Sequence, residues 1–307
     1  MRTGEINQRR LRYFVEVYRR GSIRAAADSL NTASSVLTRQ MRLLEEELGF
    51  PLFERSPRGV LPTPAAQALI EYSRGCENER NIFESTLQEL NGLETGSIKI
   101  AASEGFVHDL MTEVITPFTR SYPKISIRVE VRSVNDVVTD VADGEADIGA
   151  VYNPPLSKSV ECIAWGLFPL RVVVPPGHPL AERKDPIEFA EATRYPLGIM
   201  STAYGVGQAV EAVALSEHLT FEPSFVTNSS AALGLFVSSG AGIAFMGRWS
   251  AGDRIGKDGL IGLELKSALA QSTTAKILVR EGRRQPRAVE LILSIIKANV
   301  PAFKGSQ

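Results

Sequence analysis

Apolar residues recur with a helical period through the first thirty positions of the chain. A first helix is predicted from a stripe at the i, i+3, i+4 and i+7 positions, formed by Leu11, Phe14, Val15 and Tyr18. A second helix is predicted after Gly21, because the Ser22 hydroxyl is suited to cap a first turn. Its apolar side contains two small alanines that let another helix cross it closely.

A third helix follows the turn at residues 31–33, and Ser34 is expected to cap it. Its apolar stripe consists of Leu37, Met41, Leu44 and Leu48. The opposite side carries short hydroxyls and arginines, at Ser35, Thr38, Arg39 and Arg42. Such a face fits a major groove, since hydroxyls bond bases or phosphates and arginine pairs with guanine. On periodicity alone, a solvated amphipathic helix is an equal alternative.

The segment after the third helix is predicted to be a small basic hairpin. It spans residues 51–64, and the tip at residues 56–59 contains Pro57 and Gly59. Arg55 and Arg58 lie on it and are suited to phosphates or a minor groove. Three helices and a basic hairpin predict a winged helix-turn-helix over residues 1–64. Ser34, Ser35, Thr38, Arg39, Arg42, Arg55 and Arg58 are its candidate DNA-binding residues.

Residues 65–95 contain a candidate long helix, from Ala65 to about Leu90. Its apolar positions form a heptad-like seam of Leu69, Tyr72, Cys76, Phe83 and Leu90, with Glu79 and Thr86 interrupting it. A helix with a single apolar stripe needs a partner. That partner is either its own domain or a second chain.

From Ile98 onward, short β-branched runs alternate with helical patterns. The expected strands are residues 98–101, 125–131, 147–151, 170–175, 196–199, 221–226, 243–246 and 275–279. This alternation predicts an α/β domain with mostly parallel sheets covered by helices.

Composition and charge narrow the class of protein. The chain is 44% hydrophobic and 22% charged, and no apolar run approaches the roughly 20 residues of a membrane span. The start of the sequence lacks a signal peptide, so a cytoplasmic protein is expected. The net charge of −1 disfavours nucleic acid as a partner, but residues 1–65 hold eleven arginines against seven acidic residues. The basic excess therefore lies where the helix-turn-helix is predicted.

Catalytic or metal chemistry finds little support. His108, His178 and His218 lie in no nucleophile or metal motif, and Cys76 and Cys162 lack metal-ligand spacing. Glu104 and His108 share a helix face if that segment is helical, but no third ligand is in view. We expect no enzyme, no cofactor, no catalytic residue and no metal. A free-standing solute-binding protein explains residues 98–303 but not the arginine-rich start.

The chain resembles the LysR-type transcriptional regulators in long, ordered motifs. The N-terminal ones include residues 11–14, 21–22, 25–27, 37–41 and 52–55. Less specific ones continue at residues 122–123, 144–149, 173–180 and 237–243. The resemblance implies that the third helix is the recognition helix. It also implies that the linker helix pairs two chains, within a tetramer.

The same resemblance implies an effector-binding domain at residues 96–307, built like a periplasmic binding protein. Subdomain 1 would take about 96–165 and 267–303, and subdomain 2 about 166–266, with crossovers near residues 163–167 and 265–269. The implied partners are a double-stranded DNA operator, a small organic effector, further copies of the chain and, for an activator, RNA polymerase. No membrane partner is expected.

The effector is expected between the two subdomains. The candidate contacts are Ser103, Glu104, Phe106, Tyr152 and Asn153 from the first, with Met200, Ser201, Thr202, Thr227 and Asn228 from the second. Hydroxyls near helix N-termini favour a carboxylate. Glu104 would repel an anion, so a zwitterion is the second possibility; alternatively, Glu104 only complements a helix N-terminus.

Overall fold

The computed structural model describes residues 6–57, 59–90, 95–247 and 259–304. The chain divides into two units, Met1–Phe83 and Glu84–Gln307. Each unit contains a hydrophobic core of its own. In the described ranges, no helix combines the length and the apolar character that crossing a membrane requires.

The first unit consists of three short helices, a hairpin and the start of a long helix. Its elements are α1 Gln8–Arg20, α2 Ile23–Ser29, α3 Ser34–Leu48, β1 Phe53–Ser56, β2 Gly59–Pro62 and α4 Pro64–Leu90. The side chains of Asn7 and Ser22 cap α1 and α2, as predicted for Ser22. The predicted cap at Ser34 is wrong, because Ala33 holds the N-cap position and Ser34 is the first helical residue.

The core of the first unit joins the helix-turn-helix to the first turns of α4. Phe14, Leu37 and Leu44 are fully buried there, and Leu69 is 6% exposed in the same cluster. Leu69 therefore does not belong to a free seam, contrary to the heptad pattern. A local helical period cannot distinguish a residue that packs in its own domain from one that packs against a partner chain, and here Leu69, the first position of the stripe, packs in its own domain.

The second unit contains two mixed five-stranded sheets. The first has the order β4-β3-β5-β12-β6 and the second β11-β7-β10-β8-β9. The strands are β3 Gly96–Ala102, β4 Ile125–Val131, β5 Ile148–Tyr152, β6 Val160–Leu167, β7 Leu170–Val174, β8 Leu197–Met200, β9 Phe225–Thr227, β10 Ile243–Gly247, β11 Ile261–Glu264 and β12 Thr274–Arg280. β3 pairs in parallel with β4 and β5, and β8 pairs in parallel with β9 and β10.

Helices lie between the strands of both sheets, and one follows the last strand. They are α5 Val107–Asp109, α6 Thr116–Ser121, α7 Val134–Asp143, α8 Phe189–Ala192, α9 Gly205–Ser216, α10 Ser230–Ser238, α11 Ala268–Gln271 and α12 Arg287–Asn299. A 3₁₀ turn at Glu104–Phe106 precedes α5, a π-helical turn at Leu110–Ile115 follows it, and a second 3₁₀ turn at Pro301–Phe303 follows α12. A large core cluster takes residues from both sheets.

The chain passes between the sheets twice, and β7 and β12 pair antiparallel to their neighbours. The first passage lies at residues 168–169, since the predicted crossover at 163–167 is part of β6. The second lies between β11 and β12 and includes the predicted segment 265–269. The sequence missed β6 and β11 because half of their residues are exposed and only one in each strand is buried, which leaves no continuous apolar run.

Candidate functional site

The polar face of α3 is exposed along its length. Ser35, Thr38, Arg39 and Arg42 are all exposed, while Leu37, Met41 and Leu44 are buried on the opposite side. Val36 is 39% exposed beside this face. Sequence reasoning passed over Val36 because an apolar residue was not expected among polar ones; an exposed valine can contact a thymine methyl group.

The side chains on this face differ in whether they already make hydrogen bonds or ion pairs within the protein. The Arg42 guanidinium donates to Glu46 at 2.7 Å, and this carboxylate raises the pKa of Arg42. The Thr38 hydroxyl donates to the Ser34 carbonyl oxygen at 2.8 Å. Within the described residues, Arg39 has no ion pair and no side-chain hydrogen bond. Arg39 is therefore the cation of this face that is free to bind a ligand.

The hairpin β1–β2 is held to the helices on two sides. The Glu45 carboxylate of α3 accepts hydrogen bonds from the backbone N–H groups of Leu52 at 2.7 Å and Phe53 at 3.4 Å. Gly59 has φ +138°, and a Cβ there would lie 2.2 Å from the carbonyl oxygen of Gly21. Glu45 went unnoticed in the sequence because its partners lie beyond its own helix.

Arg55 is exposed on β1, the first strand of this hairpin. Arg58, the other arginine predicted for the hairpin, lies outside the described residues. The hairpin therefore presents at least one basic side chain beside the wing turn.

A cavity opens between the two sheets of the second unit, at the carboxyl ends of β3, β5 and β8. It encloses about 480 Å³ of empty space, counted to its open mouth. Aromatic and aliphatic side chains form most of its wall. The lining residues are Ser103, Glu104, Gly105, Phe106, Tyr152, Phe168, Met200, Tyr204, Gly205, Val206, Ser230, Leu233, Phe245 and Met246. Strand ends in α/β folds commonly form such ligand sites.

The structure brings half of the predicted effector contacts together. Those that line the cavity are Ser103, Glu104, Phe106, Tyr152 and Met200. The remaining five are not part of its wall: Asn153, Ser201, Thr202, Thr227 and Asn228. The backbone N–H of Ser201 donates to the Thr227 carbonyl oxygen at 2.8 Å, so these two residues continue the pairing of β8 with β9 instead.

Sequence reasoning missed more than half of the cavity wall. Phe168 lies at the passage between the sheets, and Phe245 and Met246 lie on β10. Tyr204 and Leu233 come from the start of α9 and from α10. No local pattern separates these side chains from ordinary core residues, since they become neighbours only when both sheets are in place.

The polar atoms of the cavity are mostly committed to the protein. The Ser103 hydroxyl accepts from the Tyr152 backbone N–H at 3.4 Å. The Tyr152 hydroxyl oxygen is buried and has no hydrogen bond of good geometry, although the Thr273 hydroxyl lies near it. Burial raises the pKa of Tyr152, so this phenol is protonated at neutral pH.

Glu104 makes the main polar contact across the cavity. One carboxylate oxygen accepts from the Ser230 backbone N–H at 2.5 Å, and the other accepts from the Ser229 hydroxyl at 3.1 Å. Ser229 is the N-cap of α10, so the carboxylate occupies the N-terminus of that helix. This agrees with the view that Glu104 complements a helix N-terminus, but the helix belongs to the opposite subdomain.

No group of three His, Cys, Asp or Glu side chains in the described part of the chain is arranged to hold a metal ion. His178 accepts from the Leu180 backbone N–H at 3.2 Å and lies edge-on to the Tyr195 ring. Burial lowers the pKa of His178, which fits a neutral structural side chain.

Known proteins show similarity to both units. The family described as bacterial regulatory helix-turn-helix protein, lysR family, matches residues 8–67, and the LysR substrate binding domain matches residues 91–301. The RuBisCO operon transcriptional regulator of Allochromatium vinosum is 28% identical over 239 residues, which are 78% of each chain. The transcriptional activator CmpR of Synechocystis is 25% identical over 240 residues, 77% of each chain.

Solved structures agree in fold. A full-length OxyR variant from Pseudomonas aeruginosa has a TM-score of 0.69 at 20% identity and covers 99% of both chains. CbnR in complex with its target DNA has a TM-score of 0.52 at 20% identity, covering 95% of this chain and 99% of that one. The winged helix-turn-helix, the two-sheet domain and both family matches lead to one assignment: the chain belongs to the LysR family and is a DNA-binding transcriptional regulator with a domain for a small-molecule effector, not an enzyme.

Proposed function

We propose that α3 reads the operator through its exposed polar face. Arg39 and Thr38 enter the major groove, Ser34, Ser35 and Arg42 support them, and Val36 contacts a thymine methyl group. Arg55 and Arg58 bind phosphates from the hairpin. The single observation that carries this proposal is the unpaired, exposed Arg39 opposite a buried apolar stripe.

The proposal is tested by competition binding on DNA that flanks the protein's own coding region, against random DNA. Arg39→Ala is expected to lower discrimination by about 1–3 kcal/mol, roughly 5- to 150-fold, if it makes a bidentate base contact. Arg42→Ala is the matched control on the same face, and a smaller loss is expected because Glu46 already holds its guanidinium. Unchanged discrimination in a folded Arg39→Ala protein contradicts α3 as the recognition helix.

Arg55→Ala tests the hairpin separately. A phosphate contact carries no sequence information, so operator and random DNA should weaken together. The dependence of affinity on salt concentration should also become less steep. A loss confined to the operator would instead assign Arg55 to base contact.

We further propose that residues 1–64 bind DNA, residues 65–95 link and pair two chains, and residues 96–307 bind the effector. Exposed apolar side chains on α4 support the pairing. Tyr72, Phe83 and Leu87 are 49%, 61% and 44% exposed and lie near one helical stripe. Pairing, within a dimer or tetramer, would place two recognition helices on one operator. Such a regulator acts in the cytoplasm, with RNA polymerase as a partner if it activates.

The effector is proposed to be a small organic molecule in the cavity between the two subdomains. The carboxylate or zwitterion suggested by the sequence would need a cation or free donors for its negative end. Among the described lining residues there is no Lys, Arg or His, and the α10 N-terminus already faces Glu104. Ligand binding would change the arrangement of the subdomains, and thereby DNA binding, only if the ligand binds one arrangement more tightly than the other.

A further inference from the structure

We propose that Glu104 is a built-in anion that occupies the α10 N-terminus at the cavity wall and restricts the effector to uncharged, largely apolar molecules. This inference deepens the proposed function and rests on its effector site. It starts from the position of the Glu104 carboxylate, which bridges residues 125 and 126 positions away in the sequence.

The N-terminus of α10 is a place that a ligand carboxylate would occupy. A helix N-terminus attracts an anion through its free N–H groups and its dipole. At α10 the Ser230 N–H and the hydroxyl of the N-cap residue Ser229 both donate to Glu104. An anionic ligand must displace Glu104, or lie near it at the N-terminus of α9, where no side chain caps the helix. At that second place the Glu104 charge repels it and the described lining offers no cation.

The wall around Glu104 is rich in aromatic rings. Phe106, Tyr152, Phe168, Tyr204 and Phe245 surround the cavity with aromatic rings. Apolar walls of this kind gain free energy by covering apolar ligand surface, and they penalise buried charge. The lining thus favours a neutral, largely apolar compound.

Glu104 is also one of the contacts that hold the two subdomains together. The two subdomains also meet where the Val134 backbone N–H donates to the Ala203 carbonyl oxygen at 3.3 Å. Glu104 adds a charge-assisted contact at the opposite subdomain, and such bonds are among the stronger ones in proteins. The contact between the two subdomains therefore does not need a ligand carboxylate to hold it.

The experiment compares benzamide with benzoate, which share a ring and differ in charge, by calorimetry or ligand-observed NMR on the full chain at neutral pH. The wild-type protein should prefer benzamide. Glu104→Ala vacates the α10 N-terminus and should raise the affinity for benzoate relative to benzamide by roughly tenfold or more. Glu104→Gln removes the charge but keeps an acceptor oxygen, so a smaller gain is expected. The exposed Glu113→Ala serves as the matched control and should leave the ratio unchanged.

Two outcomes overturn the inference. Benzoate binding the wild type as tightly as benzamide would contradict the built-in anion, and so would an unchanged ratio in a folded Glu104→Ala protein. If neither compound binds wild type or Glu104→Ala up to solubility, the assigned ligand class is wrong.

A blocking variant separates these failures from failure of the proposed site. Val206 lines the cavity and is only half-buried, so Val206→Trp should fill part of the space. Val206 also packs against the core, so urea unfolding must first show that the variant is folded. If a compound binds and Val206→Trp does not weaken it, the effector site lies elsewhere. The Arg39→Ala result on DNA is independent of all these measurements.

Discussion

The polar face of α3 and the cavity of the second unit are built in opposite ways. On α3, side chains within eight positions of one another form a continuous exposed surface. In the cavity, residues from Ser103 to Met246 converge, and the main polar contact joins Glu104 to Ser230. The α3 face can be changed without touching the core of its unit, whereas every aromatic or aliphatic side chain of the cavity wall also packs in or against the core of the second unit. Recognition of DNA and recognition of effector are therefore expected to respond differently to mutation.

Long-range contacts also explain why the same apolar pattern has two meanings within α4. Leu69 is 6% exposed in the first core, while Phe83, two heptads later, is 61% exposed. Both residues satisfy one periodic pattern. Tertiary contact alone separates a core position from a surface available for pairing.

The largest expected effect on stability is at Leu69 of α4, and it distinguishes this residue from Phe83. Leu69→Ala should destabilise the first unit by about 2–5 kcal/mol, because it leaves a cavity in the core. Phe83→Ala should barely change unfolding but should weaken chain pairing. Urea unfolding followed by circular dichroism measures the first effect, and sedimentation measures the second. Equal destabilisation by both substitutions, or a Phe83→Ala protein with unaltered assembly, would argue against this division of α4.

A smaller effect is expected where the two subdomains of the second unit touch. A Cβ on Gly205 would lie 2.3 Å from the Tyr152 carbonyl oxygen, so Gly205→Ala should destabilise the second unit by about 1–3 kcal/mol. Trp165 lies on β6 of this unit and residues 1–83 contain no tryptophan, so tryptophan fluorescence reports the unfolding of the second unit selectively. Gly96→Ala in the same unit is the matched control and should change stability little, because its Cβ would meet only the Ala288 Cβ at 3.5 Å. A Gly205→Ala protein as stable as wild type would mean that the subdomains can separate freely.

The hydrogen bonds between Glu45 of α3 and the hairpin should contribute about 1–2 kcal/mol to the free energy of unfolding, since Glu45 accepts from two backbone N–H groups. Glu45→Ala is expected to lower the circular-dichroism midpoint in urea and to reduce DNA affinity by freeing the hairpin. Glu46→Ala, one position later and exposed, should leave the midpoint unchanged. If the two variants behave alike, Glu45 does not position the hairpin.

The smallest effect is a pH dependence in the first unit. Hydrogen bonds from Ser29 and Arg20 lower the pKa of Glu16 below its ordinary value. A lowered folded-state pKa stabilises the protein above the unfolded-state value, and this contribution is lost as the pH falls through the folded value. Glu16→Gln should therefore cost less than about 1 kcal/mol at neutral pH, and the difference from wild type should vanish in acid. The exposed Glu54→Gln, measured alongside, should show no such convergence, and a Glu16→Gln difference that persists in acid would contradict this explanation.

Much of the first unit followed from the sequence. The stripe of Leu37, Met41 and Leu44 identified the buried side of α3, and Ser22 was correctly expected to cap α2. Helical period and side-chain capping depend on residues within four positions of one another, so the chain carries this information locally. The family resemblance rests on the same local motifs, and the family matches confirm it.

The sequence also determined the alternation of strands and helices in the second unit, because buried parallel strands are continuous apolar runs. Only the tertiary structure decided that residues 160–167 form an edge strand and that Phe168, Tyr204 and Leu233 share a cavity with Ser103. It alone gave Glu104 its partner on the opposite subdomain. Such contacts depend on how distant segments are brought together, and no short-range pattern of hydrophobic and polar residues encodes that.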